Sequence, residues 1–217
     1  MCIRDRLETN PRLGSLLPSI CSAIGGQFEI KGGELYFVQG EYRELYEVRV
    51  TKASPENDET DAPQLGSDVV TKFIPTSDEL ISGGMAAEGH KKIGILQYLL
   101  RNGSLVPGSS GPLLWDEPEA NVNPRLMRTI VEAILELSRN GQQVIITTHE
   151  YILLKWFDLL SKKEKQDQIR FHVLKGDALS GVSLQSSDQY LNIASNSVDD
   201  TFTELYNAEI DRSFEER

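Results

Sequence analysis

The sequence predicts an α/β fold with a partly parallel sheet flanked by helices, and three stretches carry that expectation. Residues 112–124, PLLWDEPEANVNP, place a short apolar run ahead of two adjacent acids, Asp116 and Glu117, and Pro118 closes the strand. Residues 124–139 then carry apolar side chains at helical spacing, Leu126, Ile130, Val131, Ile134, Leu135 and Leu137. Residues 143–148, QVIITT, form a β-branched run of the kind that a parallel sheet buries on both faces. Strand, helix, strand and helix across residues 112–160 make βαβ units, which bring consecutive strands side by side and parallel.

The remaining elements follow in chain order. Residues 13–24 mix apolar residues with Ser and Cys and predict a short helix ending at Gly25-Gly26. Residues 27–30 and 34–38, joined across Gly32-Gly33, predict a β-hairpin with Phe28 and Ile30 on one face. Residues 46–51 predict a further strand, and the polar, acidic stretch 53–67 a solvated loop. Ile93, Ile95, Leu96, Leu99 and Leu100 predict a helix that ends at Asn102-Gly103. Asn123 is a good N-cap with Pro124 in the first turn, and Asn140-Gly141 ends that helix. Residues 151–160 are amphipathic and 162–165 are charged and exposed. Residues 169–174 and 182–184 predict a terminal hairpin, and 198–216 an acidic C-terminal helix.

Bulk properties narrow the function classes. The 217 residues fit one domain, or one and a half, with 39% hydrophobic and 25% charged residues. A net charge of −11 argues against non-specific binding of nucleic acid over the whole surface, because phosphate contacts need clustered Lys and Arg. No apolar run approaches the length of a membrane span, and Cys2 and Cys21 have neither metal-ligand spacing nor a disulfide framework. The expectation is a cytoplasmic protein with reduced thiols and no membrane partner. The opening MCIRDR has no apolar core and no cleavage site, so it is no signal peptide. It resembles a translated sequencing-adapter remnant, and residues 1–6 are expected to be a non-native leader.

Paired carboxylates at a strand end are what a metal-phosphate site needs. One holds Mg²⁺ through its water shell, and the other orients an attacking water. Alone, two acids after an apolar strand are also a common exposed strand edge. His149, closing the strand of residues 143–148 just after Thr147-Thr148, adds an imidazole able to donate to a phosphate oxygen near neutral pH. His90 and His172 have no such context.

LLWDEPEANVNP followed by VIITTHE resembles the second half of an ABC-type ATPase head, in the AAA-type group related to SMC, RecF and OLD-type ATPases. The resemblance covers residues 80–160 closely and the C-terminal part loosely. It implies a P-loop NTPase-like fold of the ABC type, with a partial parallel sheet flanked by helices and β-hairpins on its N-terminal and C-terminal sides. It implies that Asp116 assists Mg²⁺, that Glu117 polarises the hydrolytic water, and that His149 is the switch histidine that reaches the γ-phosphate. Residues 120–124 stand in the place of the D-loop, which crosses a dimer interface, with Asn123 where many relatives carry Asp. The signature element, a Ser-x-Gly at a helix N-terminus that binds the opposite protomer's γ-phosphate, has two spellings here. Ser82-Gly83-Gly84 matches the transporter form. Ala87-Glu88-Gly89-His90-Lys91-Lys92 matches the SMC-like form with Ala in place of Ser. The second is preferred, because Gly89 opens the apolar helix with Lys91 in its first turns. Ser82, Gly84, Glu88, Gly89, Lys91 and Asn123 are thus the expected nucleotide-binding residues beside catalytic Glu117 and His149.

One motif is missing. Residues 103–110, GSLVPGSS, have the glycine spacing of a P-loop, but Ser109 stands where Lys is required, and no other stretch ends in Gly-Lys-Ser or Gly-Lys-Thr. The expected organisation is therefore the leader 1–6, a β-rich arm or insertion 7–80, an ABC-type C-terminal subregion 81–175, and a hairpin with an acidic helix 176–217. The function expected is ATP binding and hydrolysis by a full-length head that dimerises through its nucleotide site, with this chain a fragment inactive alone. Two other readings stay open: a non-catalytic ATPase-like binding or regulatory module, and a helicase-type P-loop NTPase fragment. A DNA or nuclease partner also stays open.

Overall fold

The computed structural model describes residues 11–50, 65–177, 181–193 and 196–215. The expected leader 1–6 and most of the loop 53–67 lie outside the described residues. In chain order the elements are α1 (Pro11–Ile24), β1 (Gly26–Lys31), β2 (Glu34–Val50), β3 (Leu65–Ser82), α2 (Glu88–Arg101), β4 (Leu113–Asp116), α3 (Pro124–Arg139), β5 (Val144–Thr147), α4 (Tyr151–Leu160), β6 (Phe171–Asp177), β7 (Gly181–Ser187) and α5 (Ser197–Glu215). Short 3₁₀ turns occupy Lys163–Lys165 and Tyr190–Asn192. The chain is mixed α/β, as expected.

Among the described residues the strands form three sheets. An antiparallel sheet runs β1-β2-β3, β4 pairs with β5 in parallel, and β6 pairs with β7 antiparallel. The strand expected at 46–51 is the far end of β2, because the ladder with β3 continues from Glu41–Ile74 to Val50–Leu65. β3 was not expected at all. Its residues 65–82 lack a clean apolar alternation, and its pairing with β2 is non-local. A register shift between Val38 and Gly40 lets the sheet bend there.

The core is built where α1, α2, α3 and α4 meet β1. Ile20, Phe28, Ile93, Leu100, Ile130, Val131, Leu137 and Leu153 are its most enclosed apolar residues. Helix α2 lies flush against β1 because Gly94 has no side chain: a Cβ there would stand 2.0 Å from the Phe28 ring. Gln97, fully buried, accepts from the Phe28 amide at 3.4 Å, and Arg101 donates to the Phe28 carbonyl at 3.0 Å. These bonds satisfy backbone groups that would otherwise be orphaned under the helix. At the other end of α3, Arg139 forks onto Asp167 with two bonds of 2.7 and 2.6 Å, tying the helix C-terminus to the chain that leads into β6.

One expectation is corrected. The strands at 113–116 and 144–147 are buried on one face only. Leu113, Trp115, Val144 and Ile146 pack against the helical core, whereas Leu114 is 71% exposed and Ile145 49% exposed. Side chains alternate along a strand, and the described helices cover one side of this two-stranded sheet, so every second residue faces outward.

Candidate functional site

The parallel register decides the site. Asp116 stands opposite Thr147 at the C-terminal ends of β4 and β5, on the open face of the pair. The Thr147 hydroxyl donates to Asp116 Oδ1. One residue further on, the Glu117 amide still follows the ladder, donating to the Thr147 carbonyl at 3.0 Å. Glu117 itself has left the strand, with φ of +43°, a left-handed conformation that costs a non-glycine residue of order 1 kcal/mol. Pro118, fully buried, ends the strand behind it.

That turn aims the Glu117 carboxylate across the sheet end at His149. Its Oε1 lies 3.1 Å from His149 Nδ1, with the histidine side chain 76% exposed. One imidazole nitrogen is thus committed to Glu117 and the ring is otherwise open to solvent. The Glu117 carbonyl accepts from Lys92 Nζ at 2.7 Å and from the Ala120 amide at 3.1 Å. Lys92 projects from α2, so the acid-bearing turn is pinned from the side as well as from the sheet.

Of the residues expected from the sequence, Asp116, Glu117 and His149 come together at this edge. Gly89 is buried at the start of α2 and packs on the backbone of the 120–122 turn, where a Cβ would stand 2.6 Å from the Asn121 carbonyl oxygen and 2.8 Å from Val122 Cα. Asn123 caps α3, accepting from the Arg125 amide at 3.0 Å, as a strong N-cap residue should. Helix α2 begins at Glu88 after Ala87, which supplies no side-chain cap. Lys91 and Glu88 pair with each other at 2.6 Å. Ser82 and Gly84 precede the helix start in a turn: Ser82 ends β3, its hydroxyl accepts from the Gly84 amide at 3.4 Å, and the intervening Gly83 donates to the Leu35 carbonyl at 2.7 Å.

Three residues at the site were absent from the expected set. Lys92 holds the Glu117 carbonyl; it follows Lys91 in sequence and nothing in the spacing separates the two. Thr147 meets Asp116. Glu119, 6% exposed, accepts from the Thr148 hydroxyl at 2.6 Å. The DEPE spelling marks Glu119 only as a third acid, and its burial is a product of the fold.

Among the described residues no group of three or more His, Cys, Asp or Glu side chains converges as a metal cage. A lone carboxylate beside a hydroxyl, on an open strand end, is instead the donor set that Mg²⁺ accepts when water and phosphate fill the remaining positions. The residues therefore fit that ion. Among the described residues no helix is long and apolar enough to cross a membrane.

Comparisons with known proteins bear on these features. The chain is similar in structure to an SMC head bound to the C-terminal winged-helix domain of ScpA, at 15% identity and a TM-score of 0.44, covering 83% of this chain and 44% of that one. It is similar to a structure described under ATP-driven dimerization and DNA-stimulated activation of SMC ATPases, at 12% identity and a TM-score of 0.44, covering 96% and 98%. It is also similar to an Smc head with an extended coiled coil bound to the C-terminal domain of ScpA derived from Pyrococcus furiosus, at 14% identity and a TM-score of 0.41, covering 91% and 39%. The chain spans less than half the length of the first and third of these. No curated protein matches it. A family model described as "AAA domain, putative AbiEii toxin, Type IV TA system" matches residues 36–155, more than half of the chain. This is therefore a member of that AAA-domain family, and the membership supports a nucleotide-binding, ATPase-like function in general terms.

Proposed function

We propose that these residues form the metal-and-water edge of an ATP-hydrolysing site in an ABC-type head. The observation that carries the reading is the meeting of Asp116, Glu117, Thr147 and His149 at the shared C-terminal edge of two parallel strands. Ligands of open parallel sheets lie at this edge, where strand ends deliver side chains and no backbone obstructs the approach.

Each residue has a part. Asp116 and Thr147 would hold Mg²⁺, largely through its water shell, and the ion when bound neutralises phosphate charge. Glu117 accepts a hydrogen bond from the attacking water and takes its proton, a role that needs a carboxylate held at a defined angle. Its left-handed backbone, the Lys92 bond and the Pro118 stop hold it so. With both ring nitrogens protonated, His149 donates one N–H to Glu117 and presents the other to a phosphate oxygen. Gly89, at the start of α2, lies against the 120–122 turn, and Glu88 beside it is exposed. In this reading that surface, with Asn123, meets a second protomer across the nucleotide, and Lys91 adds positive charge beside it. None of the 217 residues spells a P-loop, so the β- and γ-phosphate cradle is assigned to a P-loop-bearing segment outside them. ATP is the substrate, a homodimer the working assembly, and the cytoplasm the compartment; no DNA or nuclease partner is assigned.

The missing P-loop spelling also favours a second reading, an ATPase-like module that binds without catalysis. One experiment separates them. Full-length protein hydrolyses ATP under the first reading, and Glu117→Gln lowers kcat by at least about 100-fold while an ATP-bound dimer accumulates on size exclusion with light scattering. A Glu117→Gln protein that keeps the wild-type rate would falsify the assignment of Glu117, and wild-type protein that binds ATP without turnover establishes the second reading.

A further inference from the structure

We propose that Glu119 is a positioning residue that, through Thr148, sets the loop carrying His149 against Glu117. Glu119 follows Glu117 by two positions, with Pro118 between them, yet its side chain turns inward while Glu117 faces the sheet end. Its Oε1 accepts from the Thr148 hydroxyl at 2.6 Å, and that hydroxyl in turn accepts from the Glu150 amide at 3.0 Å. Glu150 caps α4, accepting from the Ile152 amide at 3.1 Å. One short chain of bonds therefore runs from the acid-bearing turn to both residues that flank His149.

The other carboxyl oxygen makes the case specific. Glu119 Oε2 is buried with no hydrogen-bond partner among the described residues. A buried carboxylate that is half satisfied works against folding, and an apolar side chain of similar volume would fill the space without that penalty. Among the described residues the side chain's one hydrogen bond is the strut to Thr148, so the geometry of the His149 loop is what the burial secures. Lys92 and the Ala120 amide hold the backbone of the same turn from its other side, at the Glu117 carbonyl. The His149 side chain is 76% exposed, so its place beside Glu117 depends heavily on the backbone of its neighbours in sequence.

This inference rests on the reading of Glu117 and His149 as the hydrolytic pair, and the test has one arm that does not. In full-length protein Thr148→Val lowers kcat about tenfold with KM for ATP within about twofold, since a misplaced catalytic group costs rate more than binding. Thr148→Ser keeps the hydroxyl and restores kcat to within about twofold. Glu119→Ala combined with Thr148→Val costs no more than the worse single change, as coupled partners should. Hydrogen exchange supplies the independent arm: the Glu150 amide exchanges faster in Thr148→Val and Glu119→Ala, and at the wild-type rate in Thr148→Ser. Kinetic equivalence of the Ser and Val variants, or additive losses in the double variant, overturns the strut. If wild-type protein hydrolyses no ATP, the hydrolytic reading fails by itself. The strut then stands or falls on the Glu150 amide, and unchanged exchange in every variant overturns it.

Discussion

Lys92, on the second turn of α2, donates its ammonium to the backbone carbonyl of Glu117 at 2.7 Å. The bond joins the helix whose first residues border the 120–122 turn to Glu117, an acid held in a left-handed conformation. A charged donor to a half-buried carbonyl belongs to the stronger class of hydrogen bonds.

Removing that donor is the first prediction. Lys92→Met keeps the aliphatic stem and lowers stability by about 1–2 kcal/mol, read as a shift in the urea midpoint. Under the proposed hydrolytic role of Glu117 it also lowers kcat, whereas Lys91→Met, which removes a pair with Glu88, leaves stability within about 0.5 kcal/mol.

The Glu117 backbone yields a second. Glu117→Gly removes the steric cost of φ +43° and stabilises the fold by about 0.5–1 kcal/mol, while under the proposed role of Glu117 hydrolysis is lost. A rise in thermal midpoint with abolished turnover is the expected pair of results; a lower midpoint would show that the turn is not strained.

Close packing at two helical glycines gives the third. Gly94→Ala drives a Cβ into the Phe28 ring, and Gly89→Ala drives one into the Asn121 carbonyl. Alanine is the better helix former by about 1 kcal/mol, yet overpacking costs about 1–3 kcal/mol. Both variants are therefore destabilised, Gly89→Ala more than Gly94→Ala, because Gly89 meets backbone that cannot rotate away. Chemical denaturation measures both.

The fourth concerns pH and the Arg139 fork. Hydrogen bonds from Arg139 hold the Asp167 carboxyl below its usual range, and the Lys162 amide adds to them at 2.8 Å. A carboxylate with a lowered folded-state pKa contributes stability that is present above its ordinary value, near pH 4, and is lost as pH falls through the lowered value. Asp167→Asn should cost about 3 kcal/mol at pH 7, because it leaves a largely enclosed guanidinium half-paired, and should flatten the acid limb of the stability curve below pH 4.

Cys21 supplies the fifth. Its thiol is fully buried, donates to the Gly40 carbonyl at 3.4 Å, and is pushed up to about 11 chiefly by burial. Thiolate is the reactive form, so alkylation at pH 8 proceeds at Cys21 only after unfolding. The raised value also makes the neutral thiol the favoured native form. Stability is full below about pH 9 and declines as pH rises toward 11, and Cys21→Ala removes that component.

Periodicity made most of the helices legible. The spacing of Ile93 to Leu100, the Asn123-Pro124 start, the Asn140-Gly141 stop and the amphipathic 151–160 run each describe one helix whose face is set locally. The Gly32-Gly33 hairpin was legible for the same reason. β3 was not, because an 18-residue strand without clean alternation is defined by the partner it lies beside. At the site, the residues proposed to carry chemistry stood out as a spelling, LLWDEPEANVNP with VIITTHE, while the residues that hold them did not. Lys92, Thr148 and Glu119 are ordinary in sequence.

What the sequence alone determined is therefore the set of local elements and the two strand ends at which Asp116, Glu117 and His149 stand, since hydrophobic period, caps and turn residues act over a few positions. The tertiary structure decided the rest. It placed Asp116 beside Thr147 by parallel register, Lys92 under the Glu117 carbonyl, Glu119 in a buried bond with Thr148, and Leu114 in the open. Each of these depends on segments about 25 or more residues apart coming together, or on a face being left uncovered, and such relations arise from packing, which no short window of residues contains.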